Sequence, residues 1–445
     1  MNKQESFTPL PPELTGSVYD YRSPKGPDLL DRLQHSYAWT NLRKRHDLDP
    51  YSRSLQAAPR PSTPIKDSSG RPHEGVNYAS QDYLSLSAHP VIREAAIAAL
   101  DTYGVHSAGS SALLGNTALS LALEAELADI LCCCETLLYP TGWAAGFGVI
   151  QGLIRSEDHV VLDALAHACL HCGAQAATAN RHLFRHNDLN YLEKKLKAIR
   201  ERDATNAVLV AIEGLYSMES DTPDIPATQA LCHRYGATLL VDIAHDFGAI
   251  GPGGTGALGE QDMLGKVDLV MGSFSKTFAS NGGFVASNHP ALKIYLKFHS
   301  NPQTFSNALS PIQAAVVRAA LAIVRGPEGE TRRNRLENAA GALRNAMVEN
   351  GFSCLGRVSP IVPVMVGNET LIRLTAGPLV KVGVLANVVE YPAVARGQAR
   401  YRFQVMADHS EANAKTAAAG MLAAVAEANK KLAEMTGANQ PPSLL

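Results

Sequence analysis

From Thr136 onward, short apolar runs alternate with longer segments whose apolar residues recur at helical spacing. The runs TLLYPTG, HVVLDALAH, HLFRHND, AVLVAIEGLYS, ATLLVDIAH and VDLVMGSFS are apolar through their middles. A run without polar alternation predicts a strand covered on both faces. The segments 189–202 and 226–235 predict helices between them. Strands spaced by helices predict an α/β architecture with a mainly parallel sheet. In such sheets ligands sit at the C-terminal ends of the strands.

The flanks read differently. A helix is expected over 29–46, and the Pro- and Ser-rich stretch 59–72 reads as a loop or extended linker. Residues 77–87 lead into a helix over 90–103. The small-residue segment 106–117 precedes a helix over 118–131. Beyond Pro302 a long helix covers 311–325 and continues past Thr331, followed by strands near 361–366 and 399–405 and a last helix over 411–435. The expected domains are an N-terminal extension with a helix (1–75), a large domain (76–305), a small C-terminal α+β domain (306–435) and a disordered tail (436–445). No internal repeat is present.

Composition narrows the function classes. A hydrophobic content of 46% in 445 residues supports a sizeable core and more than one domain. A formal net charge of -2 gives no reason to expect nucleic acid or an anionic membrane as partner. No apolar run reaches transmembrane length, and the first residues lack the apolar centre of a secretory signal, so a cytoplasmic location is expected. Seven cysteines, an odd number, argue against a disulfide framework. Cys132, Cys133 and Cys134 are consecutive and cannot easily converge on one ion. Cys169, His171 and Cys172 have no second ligand pair at zinc spacing. No metal site is expected, and His171 and Cys172 are read as structural.

The chemistry concentrates in two peptides. Lys276 stands in the small-residue loop GSFSKTFASNGG, reached from the apolar run VDLVM. About thirty residues upstream, TLLVDIAH ends an apolar run in Asp242, with His245 three residues on. A lysine approachable through uncluttered backbone suits Schiff-base chemistry, and an acid at a buried strand end can keep a pyridinium nitrogen protonated. Together they match the layout for pyridoxal phosphate (PLP). The glycine-rich GAIGPGGTGALG is no dinucleotide fingerprint, because it opens no apolar helix and lacks the distal acid; a loop over the active site is expected.

With these motifs in order between about Asn77 and His409, the chain resembles the α-oxoamine synthase family. The resemblance implies a fold-type-I PLP transferase with a mainly parallel seven-stranded sheet in its large domain. It implies a homodimer with shared active sites. Lys276 would bind the cofactor aldehyde and move the α-proton, and Asp242 would pair with the ring nitrogen. His167, in DALAHACLH, would stack on the ring. His245 would contact the phenolic oxygen or the incoming acyl carbonyl, and Ser217, in EGLYSMESD, would lie beside the cofactor's oxygen. Glu213, which opens the same motif, is read as structural. The phosphate would be held by Gly142 and Trp143 at a helix N-terminus, by Ser273, and by Ser306 and Asn307 reaching into the partner subunit. Arg402 would clamp the substrate carboxylate as a planar fork, with Tyr83 also on the substrate side. Arg400, two positions earlier, is expected to face away.

The family activity implied is condensation of a small amino acid (glycine, alanine or serine) with an acyl thioester, giving an α-aminoketone, CO2 and free thiol. Three departures fall on substrate handling. Ala112 and Leu113 stand where many relatives carry an arginine, and Ser120 where they carry a histidine. Asp82-Tyr83-Leu84-Ser85 replaces Asn-Tyr-Leu-Gly, and Glu390 or Tyr391 occupies the place of a second arginine. Fewer basic residues leave acyl-CoA and acyl-carrier protein both open as donors. Arg43, Lys44 and Arg45 form a small basic cluster that reads first as a solvated helix face. The competing readings are another fold-type-I enzyme, an aminotransferase or C–C lyase, and a non-catalytic partner subunit. Lys276, Asp242 and His167 together argue against the last.

Overall fold

The computed structural model describes residues 10–436; the tail expected to be disordered lies, past its first residue, outside the described residues. The chain forms two compact units. The larger comprises Gln81–Ser217 and Asp221–Asn334, and the smaller comprises the residues up to Ser80, Met218–Ser220 and the chain from Arg335 on. This division departs from the expected boundaries. The N-terminal extension belongs with the C-terminal region, and the helix Pro311–Arg325 belongs to the larger unit.

The larger unit is built on a seven-stranded sheet. In spatial order its strands are Glu135–Tyr139, Gly283–Ser287, Leu269–Ser273, Thr238–Asp242, Val208–Glu213, His159–Asp163 and Arg181–Phe184. Gly283–Ser287, which the sequence pattern did not reveal, runs antiparallel to both neighbours, and the remaining strands share one direction. Val160, Leu162, Leu209, Ala211, Leu240 and Met271 pack with Val149, Ile150, Leu170 and Ala174 from the helices Gly142–Leu153 and Ala168–Ala177. The alternate residues Val161, Val210, Ile212, Val241 and Val270 are buried on the other face, and this two-sided burial is why the strand runs carry no polar alternation. The parallel register sets Glu213 beside Asp242 at the ends of adjacent strands.

The smaller unit has a six-stranded sheet in the order Ser54–Leu55, Ser62–Lys66, Pro72–Tyr78, Val384–Val389, Ala399–Gln404 and Ile361–Gly367. Segment 59–72 is therefore not a linker. Ser62–Lys66 pairs antiparallel with Pro72–Tyr78 and alternates, with Thr63 and Ile65 buried. Pro72–Tyr78 in turn pairs in parallel with Val384–Val389, joining segments from the two ends of the chain.

Arg43 is not on a solvated face. It is buried, donating to the Leu48 carbonyl at 3.0 Å, stacking on Trp39 and lying 3.6 Å from Glu390. Glu390 also accepts from Arg373 at 2.6 Å, and Arg373 donates to the carbonyls of Leu14 and Gly16, each at 2.7 Å. The N-terminal extension is thus tied down by buried charges of both signs. Among the described residues no helix is long and apolar enough to cross a membrane.

Candidate active site

The site lies at the C-terminal ends of the parallel strands, where the α/β architecture directs it. Asp242 ends its strand, is buried, and accepts a hydrogen bond from the Ala244 N–H at 2.9 Å. Glu213 ends the neighbouring strand, equally buried. Burial raises the pKa of both carboxyls, and for Glu213 the nearby Asp242 raises it further. His167 and Lys276 oppose the rise at Asp242, so both side chains lie near enough to act on this carboxylate. Glu213 also takes a hydrogen bond from the His167 backbone. It is therefore part of the charged centre, a role its position in the motif did not disclose.

Lys276 follows the strand Leu269–Ser273 by three residues and is partly buried. His167 caps the helix Ala168–Ala177. Its Nδ1 accepts from the Cys169 N–H at 3.3 Å and lies 3.0 Å from the buried Cys169 Sγ. The ring is thereby fixed from below while the residue stays exposed. The Cys169 thiol is pushed well up, by burial first and then by Asp242 and Glu213, so it stays protonated beneath the histidine. His245 Nδ1 lies 2.9 Å from the Tyr83 hydroxyl, both residues being buried. Tyr83 is thus joined to the histidine three residues after Asp242.

At the sheet's edge, Thr141 caps the helix Gly142–Leu153, accepting from the Ala144 N–H at 3.0 Å. The first N–H groups of a helix have no partner within it. Gly142 is required here: a Cβ at this position would lie 2.4 Å from both Cβ and Oγ of Ser273. The Ser273 hydroxyl lies 2.6 Å from that of Ser275. Trp143 turns its side chain away onto Phe147, centroids 5.0 Å apart, so only its backbone remains for this cradle. Ser306 donates back to the Pro302 carbonyl at 2.5 Å, and Asn307 is exposed. Ser217 immediately follows the buried Tyr216.

The donor set fits pyridoxal phosphate. Two buried acids at adjacent strand ends favour a cationic ring nitrogen. A glycine-opened helix N-terminus beside a serine hydroxyl suits a phosphate. The glycine-rich segment 248–259 is not a free loop. It folds around Asp246, whose carboxylate accepts from the Ala257 N–H at 2.7 Å and whose pKa burial pushes up to about 7.

In the smaller unit, the expectation that Arg400 faces away from Arg402 is overturned. Side chains two apart on a strand share a face, and both guanidinium groups reach Met218. Arg400 donates to its carbonyl at 2.8 Å and pairs with Glu219 at 2.9 Å. Arg402 lies 3.8 Å from its sulfur. What separates the two is burial: Arg400 is buried in its ion pair with Glu219, and Arg402 is only partly buried.

Known proteins agree with this architecture. The family described as aminotransferase class I and II matches residues 73–421. An 8-amino-7-oxononanoate synthase of Geobacter sulfurreducens is 33% identical over 348 residues, 78% of this chain and 88% of that protein. A serine palmitoyltransferase of Bacteriovorax stolpii is 30% identical over 390 residues, 88% of this chain and 90% of that protein. A solved SPT carrying PLP superimposes with a TM-score of 0.83 at 28% identity, covering 90% of this chain and 99% of that one. By family match, by relatives spanning nearly their full length and by fold, the chain belongs to the α-oxoamine synthase family of PLP-dependent, fold-type-I enzymes.

Proposed function

We propose that this protein condenses a small amino acid (glycine, alanine or serine) with an acyl thioester, releasing CO2 and the free thiol and leaving an α-aminoketone. The observation that carries the reading is the buried pair Glu213 and Asp242 facing the Lys276 charge at the strand ends. Bound there, pyridoxal phosphate supplies a sink for the electrons released at the amino acid's α-carbon. Asp242 would hold the ring nitrogen protonated, and Glu213 stands beside it on the adjacent strand. His167 would stack on the cofactor's ring, and Ser217 would lie beside its oxygen. Gly142, Trp143 and Ser273 hold the phosphate. Lys276 anchors the cofactor, then takes the α-proton at Nζ. The Tyr83–His245 pair orients the acyl carbonyl, and Arg402 binds the substrate carboxylate.

In this reading two copies form a homodimer, with Ser306 and Asn307 serving the phosphate of the partner subunit. Leu113, Leu114 and Phe305 are each more than four-fifths exposed, an apolar set a second copy would cover. Their loops are already joined by the Ala308 N–H to Gly109 carbonyl bond at 2.9 Å.

The test is a titration of PLP-loaded protein with glycine, alanine and serine, with and without matched acyl-CoA and acyl-carrier-protein thioesters. Condensation predicts thiol and CO2 release in equal amounts, only when amino acid and thioester are both present. Faster turnover with the carrier-protein thioester would identify that donor. Transfer of the amino group to the cofactor without thioester would instead identify an aminotransferase. Asp242→Asn should lower turnover about a hundredfold, since one aimed electrostatic contact is commonly worth that much.

A further inference from the structure

The cofactor residues sit on turns, and turns hold their shape only when something ties them. His186 is placed to do this. It follows the strand Arg181–Phe184, at the edge of the larger sheet. Its Nδ1 lies 2.9 Å from Asp163 Oδ1, and its Nε2 lies 2.9 Å from Asp221 Oδ2. The ring of Tyr216 meets it edge-on, centroids 4.4 Å apart.

Each carboxylate holds a different turn. Asp163 ends its strand, is fully buried, and accepts from the Leu165 N–H at 2.8 Å and the Asn187 N–H at 3.0 Å. Leu165 is two residues before His167. Asp221 accepts from the Asn187 side chain at 3.0 Å, and its own carbonyl accepts from the Tyr216 N–H at 3.0 Å, closing the turn that contains Ser217. The groups facing the imidazole are thus two carboxylates, a phenol and the Asn187 amide, 3.3 Å from Nε2, and burial of the ring is outweighed by the two carboxylate hydrogen bonds, which push its pKa up to about 10. Protonated, it bridges two carboxylates with charge-assisted bonds at both ends.

We propose that His186 is a positioning residue of the cofactor site: bridging Asp163 and Asp221, it fixes the spacing between the turn bearing His167 and the turn bearing Ser217. It acts through these two turns, by way of Asp163 and Asp221. The inference rests on the assignment of His167 and Ser217 to the cofactor, and its test separates the two.

Apo-protein is titrated with pyridoxal phosphate, following the visible absorbance and circular dichroism, for wild type, His186→Gln, His186→Arg and Asp221→Asn. His186→Gln should raise the cofactor's dissociation constant about tenfold, the lower end of what supporting residues contribute, and change the visible circular dichroism of the bound form. His186→Arg, a cation able to span both carboxylates, should recover much of the wild-type signal. Asp221→Asn keeps the Asp163 contact and should reproduce the spectral change with a smaller loss of thermal stability. It decides the matter alone if His186→Gln does not fold. Folded variants with wild-type affinity and wild-type visible circular dichroism would overturn the proposal, whatever their melting temperatures. A wild-type protein that binds no cofactor would overturn the site assignment itself.

Discussion

Two regions of this protein bury charge, and they do so in opposite ways. In the smaller unit Arg43, Arg373 and Glu390 bring both signs together, and the remaining donors of Arg373 end on backbone carbonyls. In the larger unit Glu213 and Asp242 put two acids side by side, and burial makes their ionisation costly. The first arrangement pairs its charges within the protein and holds the N-terminal extension in place. The second is costly unless a cation joins it, which is the condition a cofactor-binding centre needs. Burial of charge does not by itself mark a functional site; the balance of signs distinguishes the two.

The sharpest way to break this contrast is Lys276→Ala. Removing both the cofactor's anchor and the proton carrier should reduce turnover by roughly 10^3-fold or more and abolish the visible band of the lysine-bound cofactor, with far-ultraviolet circular dichroism retained. A surviving band would remove Lys276 from its role. Arg373→Met attacks the other region. Taking one partner from a buried ion pair is expected to destabilise by about 3–5 kcal/mol, read by urea unfolding, while the visible band of the folded, PLP-loaded protein stays as in wild type. A changed band at unchanged stability would mean that the balanced cluster serves the chemistry after all.

Two histidines extend the comparison to pH. His186, raised to about 10, contributes stability that is fully present below its unfolded value near 6.5 and is lost as pH rises through 10. His409 is shifted the other way, to about 3 by burial, while stacking on Tyr78 with centroids 4.1 Å apart. It stays neutral when folded, so stability falls as pH drops from about 6.5 toward 3. Denaturation midpoints across pH should therefore lose their alkaline slope in His186→Gln and part of their acid slope in His409→Gln. The smallest effect is expected at the exposed pair Lys266–Asp262. Lys266→Ala should shift stability by no more than about 0.5 kcal/mol, a baseline against which the buried clusters are read.

The sequence made the larger unit's chemistry legible because it is local. Asp242 and His245 share one strand end, and Lys276 closes the next apolar run. Such runs announce themselves when both faces are covered. The strand Gly283–Ser287 escaped because it begins in glycine just after a Ser-, Asn- and Gly-rich turn, and its place between two strands comes from pairing rather than pattern. Ser62–Lys66 escaped because its proline and its flanking prolines and serines carry the signs of a loop, while only Thr63 and Ile65 carry the alternation. The ion cluster was beyond reach for a different reason: Arg43 and Glu390 lie at opposite ends of the chain, and a charged residue in a helix reads as solvated until its partner is known. Glu213 and His186 share that difficulty, since their meaning depends on strand register and on turns brought together by the sheet.

The parallel pairing of Pro72–Tyr78 with Val384–Val389 sets a timetable for synthesis. The hairpin at 62–78 leaves the ribosome early and must wait for its neighbour, roughly 300 residues and on the order of 15 s to a minute later at ordinary elongation rates. Every strand of the larger sheet emerges within that interval. The catalytic half can therefore take shape on the nascent chain, while the hairpin stays an open strand edge for a chaperone to shield.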